Sequence, residues 1–190
     1  MQKQRRKSST SLLIVLSALS AVGIILGKFL AFNVTDFMRF SLENLSILFA
    51  GIVFGPLCGF AVGVVQDLVG CLIVGYAINP IITLGSATIG LVSGAVFEIF
   101  EKHHPLLRIS LSVASAHVLG SVLAKSVGLA VFYSLPLGAT IAWRALNYLI
   151  VGIAEIVLLY LMLKSKPLLS QINKIGRFSL SVKGDSDNDI

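Results

Sequence analysis

ENLSILFAGIVFGPLCGFAVGVVQDLVGCLIV, from Glu43 to Val74, is the stretch that decides the fold. It carries only two charges, Glu43 and Asp67, and is broken once, at Gly55-Pro56. Apolar runs of this kind belong to helices buried in a membrane, and Gly-Pro marks a turn between them. Read as two pieces, the run gives segments 43–54 and 57–74. At about 1.5 Å per residue the first is too short for a hydrocarbon core of roughly 30 Å. Read as one piece, 43–74 is a single kinked span.

Four more apolar segments surround this stretch, at 11–32, 81–100, 108–133 and 139–164. They are punctuated by Asn33-Val34-Thr35-Asp36, Gly75 to Pro80, His103-His104-Pro105 and Ser134-Leu135-Pro136. Charge placement chooses between five and six spans. With six spans and both termini inside, the cytoplasmic side holds Lys3, Arg5, Arg6, Lys7, Lys102, Arg108, Lys164, Lys166, Lys174, Arg177 and Lys183. These are 11 of the 15 Lys and Arg residues. Five spans would put the basic C-terminal tail outside, against the positive-inside rule. The expected fold is therefore all-α: a six-transmembrane-helix bundle with both termini cytoplasmic and a short second helix. Residues 1–10 form a basic cytoplasmic N-terminus, 11–165 the membrane domain, and 166–190 a polar cytoplasmic tail whose end, Gly184 to Ile190, reads as disordered.

Composition agrees. The chain is 56% hydrophobic and 13% charged, with a mean hydropathy of +0.92. A soluble domain carries roughly a quarter charged residues. The net charge of +6 follows topology and does not indicate a nucleic-acid partner. The first apolar run is too long for a signal-peptide h-region and lacks a clean cleavage site, so it reads as a retained span. Cys58 and Cys71 lie inside apolar runs without metal-ligand spacing and read as packing residues.

Four cations break the topological rule. Lys28, Arg39, Lys125 and Arg144 all fall toward the outer side, where an anionic ligand would account for them. Snorkelling to the interface is the competing reading for Lys28, and proximity to the interface for Arg144. Lys125 is too deep in its segment for either. On 108–133, His117, Ser121, Lys125, Gly128 and Phe132 recur at helical spacing and share a face. On 139–164, Arg144, Asn147 and Glu155 share another, with Trp143 and Tyr148 beside it. Gly59, Gly63, Asp67 and Gly70 form a third. Ionisable groups inside a membrane face a cavity or a partner charge; Asp67 reads as the structural partner of a lysine, and Asp67 and Glu155 are the candidate protein partners of Lys125 and Arg144. Aromatic rings and Asn147 suit a flat heterocycle. The small residues Ser17, Ala21, Ser20, Gly23 and Gly27, and Ser86, Gly90 and Gly94, permit close helix approach, either within the bundle or to another subunit.

No phosphate loop, H-E-x-x-H motif or paired-metal motif is present, and no internal repeat of the kind that two-repeat transporters use. Uptake by this chain would draw its energy from partners. The rival class is an intramembrane enzyme built on Ser86 and His117.

The segment from Met38-Arg39-Phe40-Ser41-Leu42-Glu43-Asn44 through Gly55-Pro56, then Gly59, Gly63 and Asp67-Leu68-Val69-Gly70, resembles the substrate-binding S components of energy-coupling factor (ECF) vitamin transporters. With Gly75 to Pro80 and Thr83-Leu84-Gly85-Ser86 it is most similar to the folate-type S components. The resemblance spans about 11–165. It implies a six-helix subunit with no cofactor and no covalent chemistry, located in the bacterial plasma membrane. It implies as partners a transmembrane coupling subunit and two cytoplasmic ATPases, docked through Ser17 and Ala21, where Ser replaces the family's usual Ala. It implies a folate site near the outer face. Matched by region, that site holds Lys28, Arg39, Phe40, Tyr76, Asn79, Thr83, Lys125, Phe132, Tyr133, Arg144, Asn147 and Tyr148. Aromatics and Asn147 suit the pterin, and Lys and Arg the glutamate carboxylates. The same fold with thiamine, a pyrimidine precursor or a queuosine precursor is the nearest alternative.

Overall fold

Glycine and proline set the boundaries that the sequence announces. In the computed structural model, which describes residues 2–33 and 39–175, helix α1 covers Gln2–Lys28. A two-residue antiparallel pair follows, β1 (Phe32–Asn33) with β2 (Arg39–Phe40), Phe32 opposite Phe40. Helix α2 is Glu43–Phe54 and α3 is Pro56–Val74. Between them Gly55 adopts φ 95° and Pro56 opens α3, a combination that turns the chain back on itself. The two helices pack side by side, so 43–74 is a hairpin and not a kinked span. Gly75 ends α3 in the left-handed conformation. Asn79 caps α4 (Pro80–Ile99), its Oδ1 accepting from the N–H groups of Ile81 and Ile82 at 3.0 and 3.3 Å.

After His104, α5 (Pro105–Ala116) runs without a break through a π-helical stretch, His117–Ala124, into α6 (Lys125–Tyr133). Ser134 in the left-handed region ends it. Helix α7 is Leu137–Lys164 and α8 is Lys166–Ile175. The expectation for 166–175 is a polar tail. The amphipathic pattern of this segment instead forms a helix against α7 and α1, with Ile172 in the core. The expectation of disorder at 184–190 lies outside the described residues.

Each apolar segment forms a helix, and among the described residues five helices are long and apolar enough to cross a membrane. Helix α2, at 12 residues, reaches about 18 Å. It is buried from Ser46 to Phe54, as a helix apolar on every side must be. Ile47, Leu48, Ile52 and Val53 pack there with Val62, Ile89, Phe97, Val113 and Leu159. Around this core the long helices turn leucine, isoleucine and valine outward, among them Leu72, Leu84, Leu149 and Ile153, a surface suited to lipid.

The helices α2, α3 and α4 meet backbone to backbone. A Cβ on Gly59 would stand 2.5 Å from the Gly90 carbonyl oxygen and 2.6 Å from the Gly51 Cα. Ser86, Gly90 and Gly94 therefore serve packing inside the bundle, and so do Ser20, Gly23 and Gly27. Ser17 and Ala21, also on α1, are exposed.

Candidate functional site

The connectivity gathers one set of helix ends: the last turn of α1, the first of α2, the last of α3, the first of α4, the last of α6 and the first turns of α7. A cavity of about 390 Å³ lies among them, within the range of small-molecule sites. It sits at the end opposite the α4–α5 turn and the last turn of α7.

Lys28, Tyr76, Asn79, Lys125, Tyr133, Arg144, Asn147 and Tyr148 all line this cavity. Thr83 stands behind the wall, donating to Asp67. Phe40 is half-buried on β2 and does not reach the cavity. Arg39 pairs with Asn33 through its strand; its side chain lies outside the described residues. Phe132 departs from the expected stripe and is 52% exposed. It lies in the last turn of α6, past Gly128, the last buried residue of that helix. His117, Ser121, Lys125 and Gly128 stay buried on one face.

The π-helical stretch positions Arg144. The Lys125 N–H bonds to the carbonyl of Gly120, five residues back, and the Ser121 carbonyl accepts Nε of Arg144 at 2.7 Å. The guanidinium lies 5.4 Å from the Tyr148 ring centre. Its terminal nitrogens find no acceptor among the described residues.

Lys125 is only 5% exposed, so its charge needs a partner. That partner is Glu43, with Nζ 3.8 Å from Oε1. Neither Asp67 nor Glu155, the candidates that helix faces suggested, fills the role. Asp67 pairs with no lysine among the described residues; it accepts hydroxyls from α4, Thr83 Oγ1 at 2.6 Å and Ser86 Oγ at 3.4 Å. Glu155 is held by His117, Nε2 to Oε2 at 2.5 Å. His117 Nδ1 meets Ser121 Oγ at 3.0 Å, and its ring stacks on Tyr148 with centres 4.6 Å apart. Ser86 and His117 therefore bond to different partners, and the Ser–His pair of an intramembrane enzyme does not form. No group of three or more His, Cys, Asp or Glu among the described residues could hold a metal.

Glu43, Asn44, Gln66 and Asp67 also line the cavity. Gln66 ties α3 to α2, accepting from Ser46 Oγ and donating to the Glu43 carbonyl, both at 2.7 Å. Asn44 is fully buried; its Nδ2 reaches the Tyr148 hydroxyl at 3.4 Å, and its Oδ1 has no hydrogen-bond partner among the described residues. The sequence carried one signal for this group, polar residues at the mouth and middle of strongly apolar helices.

A polar cavity framed by membrane-length helices makes the chain a multi-pass membrane protein that holds a small molecule. The sequence narrows that class: the chain belongs to the family described as ECF-type riboflavin transporter, S component, whose profile matches residues 7–166. A member of this family is a substrate-binding subunit of an ECF transporter in the bacterial membrane, not an enzyme. Among curated proteins none matches the sequence significantly. Solved structures share the fold, two among them as follows. One, "Crystal structure of FolT bound with folic acid", has a TM-score of 0.64 and 22% identity, covering 78% of this chain and 88% of that one. The other, "Structure and mechanism of the S component of a bacterial ECF transporter", has a TM-score of 0.59 and 20% identity, covering 89% of this chain and 99% of that one.

Proposed function

We propose that this S component captures folate or a related pterin at the outer face of the membrane. The observation that carries the reading is Arg144. Its guanidinium borders the cavity beside Tyr148, anchored through Nε with its terminal nitrogens left for an anion. Lys28 and Lys125 border the same space, and a ligand carboxylate would answer this charge. Tyr148, Trp143 and Tyr76 offer ring faces, and Asn147 and Asn44 amide groups, for a flat heterocycle. The shared fold with FolT bound to folic acid is consistent with this ligand.

The second reading is riboflavin, which the family's description names. Riboflavin is uncharged at neutral pH and supplies no anion for Arg144. Isothermal titration of the purified chain with each vitamin tests the choice. Saturable binding of folic acid without riboflavin binding is expected; the reverse would sink the proposal.

The topology that goes with this reading has six membrane segments, α2 being the short one, and both termini in the cytoplasm. It places the cavity outside and the α4–α5 turn, with Lys102 and Arg108, inside. The α1 face bearing Ser17 and Ala21 docks the transmembrane coupling subunit, which joins two cytoplasmic ATPases. Its support is the exposure of both residues, while Ser20, Gly23 and Gly27 are used inside the bundle.

A further inference from the structure

Asp67 and Glu43 are the two carboxylates among the described residues in the wall of a cavity that Lys28, Lys125 and Arg144 also line. No lysine or arginine pairs with Asp67 among the described residues. Thr83 and Ser86, one turn apart on α4, each donate a hydroxyl to one of its oxygens. A carboxylate offers about four acceptor sites, so both oxygens keep capacity for further donors. The group is rigidly placed. One turn earlier on α3, a Cβ on Gly63 would lie 2.7 Å from the Ser86 carbonyl carbon, so α3 and α4 are in backbone contact where Asp67 meets its donors. Asn44 adds an independent observation: a fully buried amide in the same wall whose Oδ1 accepts nothing among the described residues.

We infer that Asp67 reads the donor edge of the ligand's ring, the adjacent ring N–H and exocyclic amino group of a 2-amino-4-oxo-pyrimidine, and so determines which heterocycle the cavity accepts. The inference rests on the folate-type reading and assigns it a specificity residue. Two parallel donors on one edge match two carboxylate oxygens, and hydrogen bonds to a charged acceptor are the stronger kind. A flavin differs on the corresponding edge at one position: its N–H is flanked by two carbonyl oxygens, with no amino group. Set against Asp67, at least one of those oxygens would face a carboxylate oxygen. A site built to hydrogen-bond a donor rejects analogues that lack it far more strongly than an apolar pocket rejects a change of size. Asn44 Oδ1 extends the same preference for donors.

The test uses the full chain in detergent, titrated calorimetrically with folic acid and with 2-desamino-2-methylfolic acid, which lacks the exocyclic donor. Asp67→Asn keeps the shape and replaces one acceptor by a donor. It should weaken folic acid by roughly tenfold to a hundredfold. The desamino analogue should bind more weakly to the unaltered chain, and Asp67→Asn should change its affinity by less than about threefold. Thr83→Val retains the carboxylate and removes one orienting donor. It should weaken folic acid severalfold and the analogue little, which keeps the idea testable if Asp67→Asn does not fold. Equal losses for both ligands, or none for folic acid, would overturn the role of Asp67 while leaving folate capture standing. Failure of the unaltered chain to bind folic acid would overturn the folate reading, and this inference with it.

Discussion

Replacing Arg144 by Met separates the ligand's charge from its ring. In the structure Nε is committed to the Ser121 carbonyl at 2.7 Å, with the guanidinium 5.4 Å from the Tyr148 ring centre. The substitution loses the Nε bond in the free and the bound protein alike, so that loss largely cancels in the affinity. What does not cancel is the contact between the terminal nitrogens and a ligand carboxylate. A hydrogen bond to a charged group contributes about 1.5–3 kcal/mol, so affinity for folic acid should fall roughly tenfold to a hundredfold. A pterin without the glutamate should lose less than about threefold. Lys125→Met should cost folic acid a similar amount, because it removes a second cation from the cavity wall. Titration calorimetry with both ligands reads the contrast. Equal losses for folic acid and the bare pterin would show that Arg144 holds the ring or the fold, and the carboxylate assignment would be wrong.

Three further outcomes follow from the packing and the topology. Gly90→Val pushes a branched side chain into the Gly59 backbone, where no flexible group can yield; it should destabilise by more than the roughly 1–3 kcal/mol of ordinary overpacking, and an unchanged melting temperature in detergent would refute the close crossing. Ala21→Trp, on the exposed face of α1, should abolish vitamin uptake in cells while binding by the isolated chain stays within about twofold, because bulk there blocks helix docking; parallel loss of both would assign the face to internal packing. In a chain with Cys58 and Cys71 replaced by Ser, a cysteine at the exposed Ile78 should react with an impermeant thiol reagent on intact cells and one at the exposed Glu101 should not. The opposite pattern would invert the topology.

The helices were legible because their boundaries are local chemistry. Gly55-Pro56, Gly75, Asn79-Pro80 and Pro105 each act on their own backbone, and each marks a turn or cap in the structure. The cations were legible because charge in an apolar segment stands out against its neighbours. Their partners were not. Glu43 meets Lys125 only because α2 is sealed inside the bundle with its first turn at the cavity, a tertiary fact that helix periodicity does not carry. Asp67 is expected to neutralise a lysine, yet among the described residues it accepts two hydroxyls of α4 instead. Phe132 shares the helical spacing of Lys125 and Gly128 but lies in the last turn of α6, past the last buried residue of that helix, and periodicity does not say how far along a helix its neighbours extend. The α8 helix escaped notice because its apolar positions are few and gain their burial from α7 and α1.

The most direct test of folate capture lets the vitamins compete. The purified chain would be incubated with an equimolar mixture of folic acid, riboflavin, thiamine and a queuosine precursor, and the complex weighed by native mass spectrometry. The account predicts one dominant adduct at the mass of folic acid, depleted in Arg144→Met. A dominant adduct at the mass of riboflavin or of another competitor, or no adduct at all, would contradict it.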